Sequence, residues 1–179
     1  MEEKEFIKHL LDPKTQNKAF ETLLIQYQKP LYNHIRNIVL NHDDANDVLQ
    51  NTFLKIFRYL KNFNGDSKLF SWMYRIATNE AITFLNQKAK ISGVTSEALQ
   101  SKLVENLTSD SYFDGDAIQL KLQKAIASLP EKQQLVFKMR YFEEIKYEDL
   151  SEILNTSVGA LKASYHHAVK KIEMFMTTN

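Results

Sequence analysis

Cysteine is absent, so the chain has no disulfide framework and no thiolate metal site. Glycine (4) and proline (3) are scarce among 179 residues, which points to long helices with few turns. No apolar run approaches the roughly 18 residues that span a bilayer. The opening Met1-Glu2-Glu3-Lys4-Glu5 lacks a signal-peptide core, so a cytoplasmic protein without membrane insertion is expected. Net charge is also small, at +1. Its distribution is uneven: residues 1–90 carry +3, residues 91–114 carry −3 and residues 115–179 carry +1. An acidic middle therefore hides a mildly basic first part, and a chain so weakly charged would borrow affinity for a polyanion from a partner. No carboxylate cluster or nucleophile–base pair is evident, so no catalytic residue, metal or cofactor is expected.

What is present is helical periodicity. Lys68 to Asn86 contains neither glycine nor proline. Phe70, Met73, Tyr74, Ala77, Ala81, Phe84 and Leu85 recur at steps of three and four, which places them on one packing face. Lys68, Trp72, Arg75, Asn79, Thr83 and Asn86 recur on the reverse face. An indole, a guanidinium and amides in line are groups that stack on and hydrogen-bond unpaired bases. Packing of Trp72, the only tryptophan, under a neighbouring helix is the competing reading.

The rest of the chain follows the same period. Glu3 to Leu11 reads as a short amphipathic helix, and Gln16 to about Leu40 as a long one that Pro30 should kink or break. Asp43 to Asn62 packs through Leu49, Phe53, Ile56, Phe57 and Leu60, leaving Asp47, Gln50, Asn51 and Leu54 on its other side. That side is either a solvated face or a docking surface. Asn62 to Ser67 reads as a turn. Ile91 to Asp114 is rich in serine, threonine and acids without sustained period, and reads as a flexible acidic linker. Four short helices follow: Asp116–Ser128, Glu131–Phe142, Tyr147–Leu154, and Val158 to about Phe175 behind a Ser157 cap. The last pair has helix-turn-helix spacing. Ala160, Ala163, Ser164 and His167 face outward in the final helix, where small side chains allow close approach to base edges. His166 and His167 diverge around the helix axis and do not make a metal pair. The expected fold is all-α: a helical domain over 1–90, a linker over 91–114, and a second helical domain over 115–179 that ends in the helix-turn-helix.

These residues resemble a family. Asp44 to Lys55 (DANDVLQNTFLK) is similar to the core-polymerase-binding helix of bacterial sigma factors, and Phe70 to Asn79 (FSWMYRIATN) to the promoter-melting segment of the extracytoplasmic-function (ECF) group of the sigma-70 family. Leu129 to Gln134, Tyr147 to Leu154 and Ser157 to Lys162 resemble the C-terminal domain of the same group. The resemblance implies a sigma factor that binds core RNA polymerase and promoter DNA, is not an enzyme, and is often restrained by an anti-sigma partner. It implies that Asp47, Gln50 and Asn51 dock on the polymerase, with Leu54 on the same face. It implies that the turn Phe63–Lys68 holds a flipped −10 base while Trp72, Arg75 and Asn79 contact the melted strand. Lys162, Ala163, Ser164, His166 and His167 would face the −35 element. The chain departs from the pattern at Asn51, where an acid is usual, and at Ser164, His167 and Val169, where arginine is common. A one-component helix-turn-helix regulator and a helical adaptor that binds no nucleic acid are the alternatives.

Overall fold

Scarce helix breakers give long helices, and polar caps decide where several begin. The computed structural model describes residues 1–178. Along them run α1 (Glu3–Leu11), α2 (Gln16–Val39), α3 (His42–Tyr59), α4 (Leu69–Ser92), α5 (Ser96–Asn106), α6 (Ala117–Ala127), α7 (Glu131–Tyr141), α8 (Tyr147–Leu154) and α9 (Val158–Thr177). Single 3-10 turns follow α3 and α5. Asn41, Thr95, Asp116 and Ser157 accept backbone N–H groups at the starts of α3, α5, α6 and α9, removing donors that a helix start leaves unpaired. Left-handed residues close α2 at Leu40, α4 at Gly93 and α8 at Asn155. Among the described residues no helix is long and apolar enough to cross a membrane.

In the first module α2, α3 and α4 pack on one another, and α1 lies on α2. In the second, α6, α7 and α8 each pack against α9. The helix-turn-helix expected over α8 and α9 is present, with bounds within two residues of those read from the sequence. Pro30 does not interrupt α2. Pro30 is exposed, and so is Gln26 one turn earlier, whose carbonyl loses its helical donor. Water can satisfy that carbonyl, and the helix continues.

The reading of residues 91–114 needs correction. The stretch read as a flexible linker contains α5 and the 3-10 turn that follows it. Its Leu99, Leu103 and Val104, with Leu107, form a small core with Leu40 and Ala89. An isolated helix of 11 residues is marginal in water, so this packing is what holds α5. Arg36 pairs with Asp110 at 2.5 Å, and His42 stacks on Tyr112 at 3.6 Å, fastening the end of the stretch to the first module. The two modules also abut. Met139, Ile145, Leu150, Ile153 and Leu161 belong to the same buried cluster as Ile35, Met73 and Ala77, and α8 packs along α4.

Candidate functional site

On α3 the residues Asp47, Gln50, Asn51 and Leu54 are all exposed. Leu54 is 64% exposed, with Phe57 and Tyr59 also open nearby in sequence. The opposite side of the helix is buried through Ala45, Val48, Leu49, Thr52, Phe53 and Ile56. The structure therefore leaves this stripe bare, with an apolar side chain among polar ones.

The loop before α4 turns at Gly65, whose φ of +81° suits glycine. Lys68 occupies the N-cap of α4 and supplies no side-chain cap. That role is filled from α1: the Glu3 carboxylate accepts from the Leu69 amide at 3.1 Å, where a negative charge also meets the positive end of the helix dipole. Glu3→Ala is expected to cost about 1 kcal/mol of stability in urea unfolding, with part of the loss recovered in Glu3→Gln.

The remaining residues of this face are not equally available. Phe63, expected to line a base-holding turn, is instead a core residue at 6% exposure. Its ring lies beneath Trp72, with centroids 5.1 Å apart, because the chain must seal the end of the bundle where the 3-10 turn leaves it. Trp72 is half-buried. It packs on the main core along one side, as the packing reading expects, and the rest of the indole stays open. Lys68 is exposed and pairs with Asp149 of α8 at 2.9 Å; the hydrogen bond to Asp149 raises its ammonium above the ordinary lysine value. Arg75 donates to the Glu152 carbonyl through Nε at 3.1 Å and also through Nη2. Asn79 is exposed. In this arrangement α8 occupies two of the cations on this side of α4.

On α9, Lys162, Ala163, His166 and His167 are exposed and Ser164 is half-buried. Lys162 lies 5.7 Å from the centre of the Tyr147 ring. The rings of His166 and His167 are 6.1 Å apart and inclined at 59°, as their divergence around the axis requires. Leu161, Ala168 and Ile172 seat the helix from behind.

Three residues that the sequence reading passed over join the modules. His34 is fully buried. Its Nδ1 donates to the Glu143 carboxylate at 2.8 and 3.0 Å, and its Nε2 meets the Thr78 hydroxyl at 2.7 Å. Lys138, only 5% exposed, donates to the Asn37 carbonyl at 2.7 Å. The signal was faint: His34 and Lys138 are polar residues standing among buried apolar neighbours on their helices, and Glu143 lies in the connection after α7.

Burial pushes the Lys138 ammonium down to about 8, against an opposing pull from Glu143. The unfolded chain keeps that proton up to the ordinary value of 10.5, so it binds more protons than the folded chain between pH 8 and 10.5. Stability therefore rises with pH across this window and carries the full penalty below it. Between pH 7.5 and 9.5 the wild type is expected to gain about 2 kcal/mol in urea unfolding. Lys138→Met is expected to gain almost none.

Comparison with known proteins adds to this geometry. Residues 23–91 match the family described as Sigma-70 region 2, and residues 119–172 match Sigma-70, region 4. The chain is 30% identical over 164 residues to the RNA polymerase sigma-H factor of Pseudomonas aeruginosa, covering 87% of this chain and 85% of that one. It is 27% identical over 168 residues to the ECF RNA polymerase sigma-E factor of Escherichia coli (strain K12), covering 89% and 87%. Among solved structures, CnrH in complex with the cytosolic domain of CnrY superimposes with a TM-score of 0.70 at 16% identity, covering 97% of this chain and 96% of that one. The sigma factor RpoE of Bartonella quintana, in complex with the anti-sigma factor NepR, gives 0.66 at 19% identity, covering 90% and 99%. At these identities the two structures speak for the fold.

Proposed function

The chain belongs to the sigma-70 family of RNA polymerase sigma factors, in its ECF group, and from that premise we propose that the bare stripe of α3 is where it docks on core RNA polymerase. Sigma factors are non-enzymatic initiation factors, and this one directs promoter recognition for transcription. The observation that carries the docking reading is the α3 face itself. Asp47, Gln50, Asn51 and Leu54 form a continuous exposed row on a helix whose other side is fully packed. A lone apolar side chain among hydrogen-bonding ones is the composition of an interface centre with a polar surround.

On the same reading, Trp72, Arg75, Asn79 and Lys68 meet the melted −10 strand. The indole supplies a stacking plate, and the two cations meet phosphates. The outward residues of α9, Lys162, Ala163, Ser164, His166 and His167, approach the −35 duplex. Their single permanent charge implies few phosphate contacts and a shallow salt dependence, about 0.9 in the slope per contact. The division into residues 1–90 and 115–179 is supported by the separate matches over 23–91 and 119–172. An anti-sigma protein is a further proposed partner, because one of the similar structures is such a complex.

The test is capture of core polymerase by the purified chain, followed by run-off transcription from a promoter library. Capture together with promoter-dependent transcripts is the expected outcome. A chain that neither binds core polymerase nor yields transcripts removes the proposal.

A further inference from the structure

A groove of about 730 Å³ opens between α1 and the first half of α2 and reaches the start of α4. None of the residues assigned above to polymerase or promoter DNA lines it. Its volume is that of a small-molecule site, roughly 300–1,000 Å³. Lys18, Thr22 and Gln26 line it from one row of α2, so the groove follows that helix for about 12 Å.

The two ends differ in chemistry. His9, Lys14 and Lys18 stand at the corner where α1 turns into α2. The corner is pinned: the Thr15 hydroxyl donates to the His9 carbonyl at 2.8 Å, and the Gln16 side-chain amide donates to the Leu10 carbonyl at 2.9 Å. Among the described residues Lys14 and Lys18 form no ion pair. Asp12, close to them in sequence, accepts from the Lys14 backbone amide at 2.9 Å. Beyond the corner the floor is apolar, made by Phe6 of α1, Ala19 and Tyr27 of α2, and Leu69 of α4. Burial, with the Glu3 charge nearby, raises the Tyr27 phenol above its ordinary value, so this ring is uncharged. Glu3 is the one acid in the lining, and its carboxylate is engaged by the Leu69 amide at the far end.

An acidic helix from a partner would call for cations along the whole row. Here they gather at one end of an apolar trough, which complements a molecule with an anionic head and an apolar tail. We infer that the groove binds a single-chain carboxylate amphiphile of the fatty-acid class, its head at Lys14, Lys18 and His9 and its chain along Phe6, Ala19, Tyr27 and Leu69. Such a ligand touches α1, α2 and α4 at once, and it stabilises the folded chain as its concentration exceeds its Kd. The inference stands independently of the proposed function.

The test titrates sodium dodecanoate, below its micelle-forming concentration, into the full chain by calorimetry. One molecule is expected to bind per chain, with a rise in melting temperature. Dodecyltrimethylammonium, which has the same tail and the opposite charge, and hexanoate, which has the same head and a short tail, are each expected to bind at least about tenfold more weakly. Lys14→Gln/Lys18→Gln changes two exposed positions and is expected to weaken dodecanoate at least about tenfold, with unchanged circular dichroism. Thr22→Glu, also exposed, sets a charge beside the tail and is expected to weaken it similarly; should the double variant lose helix, Thr22→Glu carries the reading. No saturable heat, or equal binding of the cationic amphiphile, overturns the site. Several molecules per chain with a falling melting temperature is detergent action and overturns it too. Unchanged affinity in Lys14→Gln/Lys18→Gln overturns the placement of the head. Co-sedimentation with phosphatidylglycerol vesicles in the absence of dodecanoate binding overturns the free ligand in favour of a membrane surface.

Discussion

Leu54→Arg is expected to lower affinity for core RNA polymerase by two orders of magnitude or more, with the melting temperature unchanged. The side chain is 64% exposed, so its replacement disturbs little of the fold, and surface changes of this kind stay within about 0.5 kcal/mol. In a docked complex the same side chain would lie at the centre of the contact, where truncation or charge insertion costs about 2–4 kcal/mol. Asp47→Ala and Gln50→Ala, beside it on the stripe, are expected to have smaller effects of the same sign. Pull-down titration against core polymerase checks all three. A Leu54→Arg chain that binds core as the wild type does would show that the stripe is merely solvated.

The second large effect concerns Trp72. The indole packs on Phe63 and the main core while remaining half-exposed, so a single substitution would confound two roles. Trp72→Ala removes both, and is expected to cost about 3–5 kcal/mol of stability as well as strand affinity. Trp72→Leu separates them. It keeps an apolar filling over Phe63 but has no flat face for a base. The expected result is that Trp72→Leu retains most of the stability, yet binds a single-stranded −10 oligonucleotide about 1–3 kcal/mol more weakly. Wild-type affinity in Trp72→Leu would reduce the indole to a packing residue.

Much of this architecture was legible because the punctuation is local. Pro130, Asn155 and Ser157 mark helix boundaries by their own backbone chemistry, and the helices they bound, α7, α8 and α9, lie where the sequence puts them. The α3 stripe was legible for a related reason: its exposed and buried sides separate along one helix, with Phe57, read as packing but 43% exposed, the exception. By contrast, α5 was hidden by composition. Serine and acids cover its outer side, and its few apolar residues find partners in Leu40 and Ala89, which no local pattern announces. Phe63 was assigned to a base-holding turn through the family resemblance alone, and the turn composition gave no sign that the end of the bundle buries its ring. The contacts of His34 and Lys138 span more than 100 residues of sequence, beyond the reach of any periodicity.

The helical state of α5 sets how far the two modules can travel. Wound up, its 11 residues cover about 16 Å; pulled straight they reach about 36–40 Å. The stretch is in effect a spool. Its winding is secured by a handful of aliphatic side chains, the Arg36–Asp110 pair and the His42–Tyr112 stack. Paying it out more than doubles the span of this segment without adding a residue, which is the slack a two-handed grip on distant stretches of one duplex would draw upon.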